Sequence, residues 1–385
     1  MKLILVHIGD IYLCPPIINM INILEELRVE TTVITTQSSN IIDKNFKYVK
    51  FEKININYEN NKNILKKASL LLFYRRKIWS LINQIYSNES IIWCSTNVSL
   101  KYLGNKILEY KYVLHLMELS ENLRYYYKLP FIELNKMKIG NSALAIVVPE
   151  YNRAHIIKAW WNLNNLPLLF HNKPYLNKVI DKKSFISDNN AAKIMELIGD
   201  RKIVLYQGIL NNQERPLVNY VKAIEKLGNN YAFVIMSNGE NIYESIKGDN
   251  YYFIPFVKPP LHLEITSHAY IGVLSYYASK QHYSDLNAVY CAPNKTFEYS
   301  MFGIPMIGND IPGLKYVFEL YKAGACVEEL TVENICNAIK CIENNYELMS
   351  RGAKKYYESV DLKKDLVNIF ETINQRIKNK VMSIE

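Results

Sequence analysis

The chain has 385 residues, of which 49% are hydrophobic and 22% charged, a balance that excludes intrinsic disorder for most of its length. At roughly 150 residues per domain, this length predicts about two domains. The net charge of +9 is uneven, because residues 1–180 carry +10 and residues 181–385 carry −1. The sequence has no run of about 18 apolar residues, no signal-peptide core and no Cys-x-x-Cys pair, so we expect a cytoplasmic protein without transmembrane helices.

Short apolar strands alternate with helical patterns along the chain. In the first half we predict helices at about 16–27 and 60–87, and strands at 2–7, 31–36, 91–94, 110–115, 144–149 and 166–170. The polar segment 171–190 is the predicted linker. In the second half we predict strands at 202–208, 231–236, 251–256, 269–274 and 303–308. The helices predicted there lie at 214–227, near 294, at 331–345, 346–357 and 362–378.

This alternation predicts βαβ units and therefore an α/β fold of two doubly wound parallel sheets. The predicted domains are residues 1–175 and 176–360, followed by a final helical segment at 361–385. Ligands of such sheets bind at the carboxyl ends of the strands. A ligand shared by both domains is expected in the cleft between them.

Segment 291–307 has the most informative binding pattern. Asn294 is a good N-cap, which predicts a helix whose first backbone amides, near Lys295 and Thr296, can bind a diphosphate. Glu298, predicted on the first turn, can accept hydrogen bonds from the two adjacent hydroxyls of a ribose. An ordinary capped helix with an acidic first turn is the alternative interpretation.

The motif Pro-Asn-Lys-Thr-Phe-Glu-Tyr-x-x-x-Gly-Ile-Pro-x-Ile, at 293–307, resembles the donor-site segment of GT-B glycosyltransferases, particularly the retaining family 4 type. The resemblance implies two Rossmann-like domains facing across a cleft, with the final helix returning to the first domain. It also implies that Glu298 holds the nucleotide ribose and that the helix start holds the diphosphate. The family has a second glutamate eight residues earlier, where this sequence has Tyr290.

Two further segments fit the donor site of that family. Gly208 ends a predicted strand and lets a ligand approach the backbone, and Arg215 can contact a phosphate. The family commonly has an additional basic residue where this sequence has Ile209. Its loop corresponding to Phe256 and Val257 packs the base, although simple burial in the strand is the alternative for both residues.

The candidate acceptor-side residues follow strands of the first domain. His115 matches a family histidine that faces the transferred sugar, and a satisfied core histidine is the alternative. Glu118 follows at the mouth of the same strand. Gly9 and Asp10 lie where the family has a glycine-rich acceptor-side loop.

The sequence contains no Asp-x-Asp motif, so we expect a metal-independent transferase in which Arg215 and Lys295 neutralise the leaving diphosphate, with His115 at the sugar. The resulting prediction is a glycosyltransferase that moves a sugar from a nucleotide-sugar to a glycan or lipid-linked acceptor of bacterial surface polysaccharide synthesis, with retention. It needs no cofactor and binds no nucleic acid. The alternatives are a nucleotide-sugar 2-epimerase of the same fold and a catalytically silent partner subunit.

A basic and apolar cluster lies in the predicted helix 60–87. Its members are Leu71, Leu72, Phe73, Arg75, Arg76, Lys77 and Trp79. Such a combination predicts reversible docking on an anionic membrane surface. In the alternative interpretation the apolar side chains face the core and the charges are merely solvated.

Overall fold

The computed structural model describes residues 1–37, 46–56, 63–121, 134–176, 178–246, 248–278 and 284–382. The chain divides into two compact units: unit 1 comprises Met1–His171 and Asp361–Glu385, and unit 2 comprises Asn172–Val360. Unit 1 has 26 Lys and Arg against 17 Asp and Glu, whereas unit 2 has 20 of each. The whole net charge of +9 therefore belongs to unit 1.

The described strands of unit 1 form one parallel sheet in the order β3-β2-β1-β4-β5-β6-β7. They are β1 Lys2–Asp10, β2 Thr31–Gln37, β3 Val49–Lys53, β4 Ser90–Ser95, β5 Tyr112–His115, β6 Ala145–Val148 and β7 Leu168–Leu169. The helices before the linker are α1 Pro15–Glu26, α2 Ile64–Ile85, α3 Thr96–Leu103, α4 Lys136–Ser142 and α5 Tyr151–Trp161. The central strands are buried on both faces, which explains their continuous apolar sequences.

The described strands of unit 2 form a second parallel sheet in the order β10-β9-β8-β11-β12-β13. They are β8 Lys202–Gln207, β9 Tyr231–Ser237, β10 Tyr251–Pro255, β11 Ile271–Leu274, β12 Met306–Asn309 and β13 Gly324–Val327. The helices are α6 Asn189–Ile198, α7 Val218–Leu227, α8 His262–Thr266, α9 Leu286–Val289, α10 Asn294–Met301, α11 Pro312–Tyr321, α12 Val332–Asn344 and α13 Tyr346–Glu358. The strand order reverses between β8 and β11, which is where a doubly wound sheet binds its ligands.

Helix α10 packs directly on this reversal point. A Cβ at Gly272 of β11 would lie 2.3 Å from the ring of Tyr299, so only glycine leaves room for that ring. The Tyr299 hydroxyl donates a hydrogen bond of 2.9 Å to the carbonyl oxygen of Leu205 in β8. The two contacts fix the start of α10 at the carboxyl edge of the sheet.

The final helix, α14 Leu362–Met382, belongs to unit 1. Lys363 forms an ion pair with Glu26 of α1, and the Arg376 guanidinium donates a hydrogen bond of 2.6 Å to the carbonyl oxygen of Leu144. This placement agrees with the expectation that the last helix returns to the first domain. Across the described ranges, no helix is long and apolar enough to cross a membrane.

Candidate functional site

The carboxyl ends of β8 and β11 hold the first part of the candidate site in unit 2. Gly208 follows β8 with a φ of +130°, a backbone conformation that favours glycine. A Cβ at this position would lie 3.2 Å from Lys295 Nζ. Glycine therefore leaves the peptide after β8 open, and it places this peptide beside a cation.

Two predicted cations lie together against aromatic rings. The Arg215 guanidinium carbon lies 4.0 Å from the centre of the Tyr276 ring, and Lys295 Nζ lies 5.2 Å from the same ring and 4.5 Å from that of Tyr206. Within the described ranges neither cation forms a salt bridge with a carboxylate. Burial, followed by the positive charge of Arg215, lowers the pKa of Lys295 to about 7. The two cations thus form a positive site that favours an anion.

The start of α10 adds backbone donors to this positive site. Pro293, with φ −76° and ψ 139°, is the N-cap, and Asn294 is the first helical residue, so the prediction of Asn294 as N-cap is wrong. The cap needs an extended backbone, which Pro293 already has, and no side chain caps the helix. Buried Thr296 donates its hydroxyl to the Pro293 carbonyl oxygen at 2.8 Å. The Thr296 backbone N–H donates to the same carbonyl oxygen at 3.3 Å, which leaves the amides of Asn294 and Lys295 for an external acceptor.

Glu298 lies on the second turn of α10, not the first as predicted, and is only 5% exposed. Gln207 donates its side-chain amide to Oε2, and His262 Nε2 lies 3.4 Å from Oε1. Burial alone would raise the pKa of this carboxyl, but the hydrogen bonds from His262 and Gln207 and the charge of Lys295 hold the pKa below its ordinary value. Glu298 is therefore an ionised carboxylate, held by donors from β8 and α8.

The hydrogen-bond network extends one residue further. The Thr266 hydroxyl, in α8, lies 2.7 Å from Gln207 Oε1. Sequence reasoning missed Thr266, Gln207 and His262. The one available signal in the sequence was Gln207 itself, a polar residue at the end of the mostly apolar strand Lys202–Gln207.

The two residues predicted to pack a base differ in exposure. Phe256 is 42% exposed and follows the end of β10, so its ring is open to a ligand. Val257 is buried in the apolar core of unit 2, beside Ile254 and Leu263. This burial favours the alternative of simple packing for the Val257 side chain, and a contact between its backbone and a base stays a prediction.

His115 lies in unit 1, at the end of β5, and is fully buried. Trp93 donates its indole N–H to His115 Nδ1 at 3.4 Å, and the ring of Phe170 packs edge-on. Burial, and then the neighbouring His7, lower the pKa of His115 to about 3. Its Nε2 has no hydrogen-bond partner among the described residues, so His115 is a neutral core histidine with one unsatisfied nitrogen.

Gly9 and Asp10 belong to the end of β1, so the expectation of a loop at these two residues is wrong. Buried polar side chains hold this end of the strand. His7 Nδ1 lies 2.8 Å from the Ser95 hydroxyl, and the Gly9 carbonyl oxygen accepts hydrogen bonds from the hydroxyls of Thr35 and Thr36. The Asp10 carboxylate accepts the backbone N–H of residue 12 at 2.9 Å and so caps the short helix at 11–13. Sequence reasoning missed His7, although it lies two residues before Gly9.

Glu118 lies beyond the end of β5, beside a buried arginine. Arg153 is 4% exposed, and its guanidinium lies 3.8 Å from the Glu118 carboxylate. The same guanidinium donates a hydrogen bond of 2.5 Å to the carbonyl oxygen of Met117. This arrangement places a partly exposed carboxylate at the carboxyl edge of the sheet.

The predicted membrane cluster in α2 is only partly at the surface. Leu71 and Trp79 are buried, so their predicted contact with a membrane is wrong. The Arg75 guanidinium donates two hydrogen bonds, of 3.0 and 2.8 Å, to the carbonyl oxygen of Lys101 near the end of α3. The surface of α2 keeps three exposed apolar and four exposed basic side chains, namely Leu65, Leu72, Phe73, Lys66, Lys67, Arg76 and Lys77.

No protein-family model matches the sequence, and no curated protein matches it. Solved structures do match over nearly the whole chain. HepE from Anabaena, crystallised with UDP-glucose, is 11% identical with a TM-score of 0.66, and the match covers 98% of this chain and 100% of HepE. MnaA from S. aureus, in complex with UDP, is 14% identical with a TM-score of 0.64, and the match covers 98% of both chains. A glycosyltransferase from Rickettsia africae is 12% identical with a TM-score of 0.67, over 98% of this chain and 99% of that one. The chain therefore has the α/β fold of the GT-B glycosyltransferases, as its sequence predicted.

Proposed function

We propose that this protein is a glycosyltransferase whose unit 2 binds a UDP-sugar donor. The observation that carries the proposal is the pair Arg215 and Lys295, which forms no salt bridge within the described residues. The pair lies at the open start of α10, beside the ionised carboxylate of Glu298. The pair and the helix start suit a diphosphate, and the carboxylate suits the diol of a ribose. UDP is the nucleotide because HepE and MnaA were crystallised with UDP-glucose or UDP.

In this reaction the bond between the sugar and the diphosphate breaks, and negative charge develops on the departing UDP. Arg215 and Lys295 are already in place to stabilise that charge, so little reorganisation is needed when the bond breaks. We infer a metal-independent reaction, since these two cations supply the charge that a metal supplies elsewhere. We propose retention from the resemblance of segment 293–307 to the retaining family 4 type. Activity is then expected to persist in EDTA, and complete loss that Mg²⁺ or Mn²⁺ restores would contradict this inference.

We assign the acceptor to unit 1, at the carboxyl edge of its sheet, where Gly9, Asp10 and Glu118 lie. The acceptor class we propose is a glycan or lipid-linked glycan of bacterial surface polysaccharide synthesis, handled in the cytoplasm. Helix α2 supports a lipid-linked acceptor because it has five basic and no acidic residues, and because Leu72 and Phe73 are exposed. Reversible docking on an anionic membrane follows from that combination.

Calorimetric titration with UDP, UMP and 2′-deoxy-UDP tests the donor site. We expect UDP to bind more tightly than UMP, which lacks the second phosphate, and than 2′-deoxy-UDP, which lacks one hydroxyl of the diol. Absence of UDP binding would favour the catalytically silent subunit. Incubation with UDP-hexoses in the absence of acceptor tests the other alternative, because an epimerase would convert the sugar nucleotide into a second one that is visible by NMR.

Vesicle flotation tests the docking surface. Phe73→Ser and Arg76→Glu are expected to reduce recovery with anionic vesicles, because each removes an exposed apolar or basic group of α2. Lys340→Glu, a charge reversal on α12 of unit 2, is the matched control. Equal recovery of the wild-type protein on neutral and anionic vesicles, or on neither, would contradict membrane docking.

A further inference from the structure

Gln207 is buried at the end of β8 and bonds two side chains from different helices. Its amide nitrogen donates to Glu298 Oε2, and its amide oxygen lies 2.7 Å from the Thr266 hydroxyl. None of the three residues is more than 5% exposed. The contacts therefore form in a region from which water is largely excluded, where an unmade hydrogen bond is costly.

The chemistry of the carboxylate fixes the direction of these hydrogen bonds. An ionised carboxylate only accepts, so Gln207 must present its NH2 group to Glu298. The amide oxygen of Gln207 then faces Thr266 at 2.7 Å and can only accept. We therefore assign the one hydroxyl hydrogen of Thr266 to Gln207 rather than to the His262 carbonyl oxygen, which lies 2.9 Å from the same hydroxyl. If the amide rotated by half a turn, its oxygen would face the carboxylate, and two acceptors would lie in contact.

The arrangement leaves the carboxylate of Glu298 free to bind a ligand. Gln207 occupies one lone pair of Oε2, and His262 approaches Oε1. Each oxygen keeps a second lone pair, since a carboxylate has about four acceptor positions. The protein donors thus orient the carboxylate without using up its capacity for two ligand hydroxyls.

We propose that Gln207, fixed by Thr266, is a positioning residue that orients the Glu298 carboxylate for the hydroxyls of the nucleotide. This inference rests on the proposed function, since it concerns the same nucleotide site. It adds a role for two residues that do not touch the ligand themselves. A purely structural role would predict that changes at Gln207 alter the stability of the fold and not nucleotide affinity.

The experiment compares UDP affinity of Gln207→Met and Gln207→Glu with that of the wild type, by calorimetry at pH 5.5 and 8.5. The methionine has a similar volume but no donor, so it is expected to weaken UDP binding at least tenfold, about the effect of one hydrogen bond to a charged group. In Gln207→Glu the two adjacent carboxyl groups share a proton at low pH, and the shared O–H replaces the lost N–H donor. At pH 5.5 we expect Gln207→Glu to bind UDP about tenfold more tightly than Gln207→Met, with a smaller advantage at pH 8.5. The titration of UDP itself is common to the three proteins and cancels in these ratios.

Thr266 provides a second test at a residue that does not bond the carboxylate. Thr266→Val removes the donor that fixes the Gln207 amide and is expected to weaken UDP binding about fivefold. Thr266→Ser keeps the hydroxyl and is expected to bind UDP as the wild type does. Thermal unfolding without ligand verifies that each variant is folded. Wild-type affinity in Gln207→Met, or equal affinities of Gln207→Met and Gln207→Glu at pH 5.5, would overturn the positioning role. Absence of UDP binding by the wild type would overturn the proposed function as well, so the two failures are distinguishable.

Discussion

The most quantitative prediction concerns the protonation of Lys295 on UDP binding, because this lysine loses its proton near neutral pH in the free protein. Its pKa is lowered to about 7 by burial and by Arg215, whereas a bound diphosphate would favour the charged form. UDP binding above pH 7 is therefore expected to take up a proton. If the pKa returns to about 10 in the complex, the group takes up about 0.9 proton at pH 8 and about 0.2 proton at pH 6.5. The UDP affinity then falls about 25-fold between pH 6.5 and 8.5.

The assay is calorimetric titration of UDP at several pH values, in pairs of buffers that differ in ionisation enthalpy. The difference between the buffers gives the number of protons taken up. Lys295→Arg is the matched control, since arginine stays charged throughout this range. The β-phosphate of UDP titrates in both proteins, so the contribution of Lys295 is the difference between them.

Equal proton uptake by the wild type and Lys295→Arg would refute the reasoning.

The same pKa shift also affects the stability of the free protein. The unfolded chain keeps the lysine proton up to pH 10.5, but the folded chain loses it near pH 7, so this group makes the fold more stable as the pH rises between those values. Lys295→Met is accordingly expected to raise the melting temperature at pH 7 while it weakens UDP binding.

Three further predictions concern Glu298, His115 and Arg75. Glu298→Gln should weaken UDP binding about tenfold or more in calorimetry; it should also lower the melting temperature, because Gln207 and His262 lose a charged acceptor. The pKa of His115 is about 3 in the folded state against 6.5 in the unfolded state, so its contribution to stability is complete above pH 6.5 and is lost as the pH falls toward 3. His115→Phe should therefore lose less melting temperature between pH 7.5 and pH 5 than the wild type does, and an identical loss would contradict the low pKa. Arg75→Met should reduce the free energy of unfolding, measured by urea denaturation, by about 2 kcal/mol, because the hydrogen bonds to Lys101 are lost. Arg76→Met, on the exposed face of α2, is the control and should change this free energy by less than about 0.5 kcal/mol.

The central strands were predictable because strands buried on both faces have continuous apolar sequences. Strands β1, β4, β8 and β9 confirm the prediction to within a few residues at each end. The edge strands β3 and β13 were missed. The sequence Val49–Lys53 is mostly exposed and mixes charged with apolar residues, and only one of the four residues Gly324–Val327 is buried. The other two edge strands, β7 and β10, were predicted, so the misses follow from the low burial of β3 and β13.

The candidate-site residues that lie within a local sequence motif were predictable, and those that join the site only through tertiary packing were not. Lys295 and Glu298 follow from the segment at the start of α10. Gln207 and His262 were missed because they meet Glu298 only through the packing of β8 and α8 against α10. Tyr206 and Tyr276 were hidden among 30 tyrosines, and no local pattern distinguishes the two whose rings contact the cations. The burial of Glu298 likewise depends on tertiary packing.

The network around Glu298 has a consequence for the way the chain acquires its binding ability. Its carboxylate takes a hydrogen bond from a residue 91 positions earlier in the chain. Contacts of such sequence separation form only after the intervening loops have closed, which is slow compared with local helix formation. A chain still on the ribosome has no hydrogen bond to Glu298 until α10 has emerged and docked. A nucleotide would therefore recognise and stabilise only molecules in which unit 2 has completed folding.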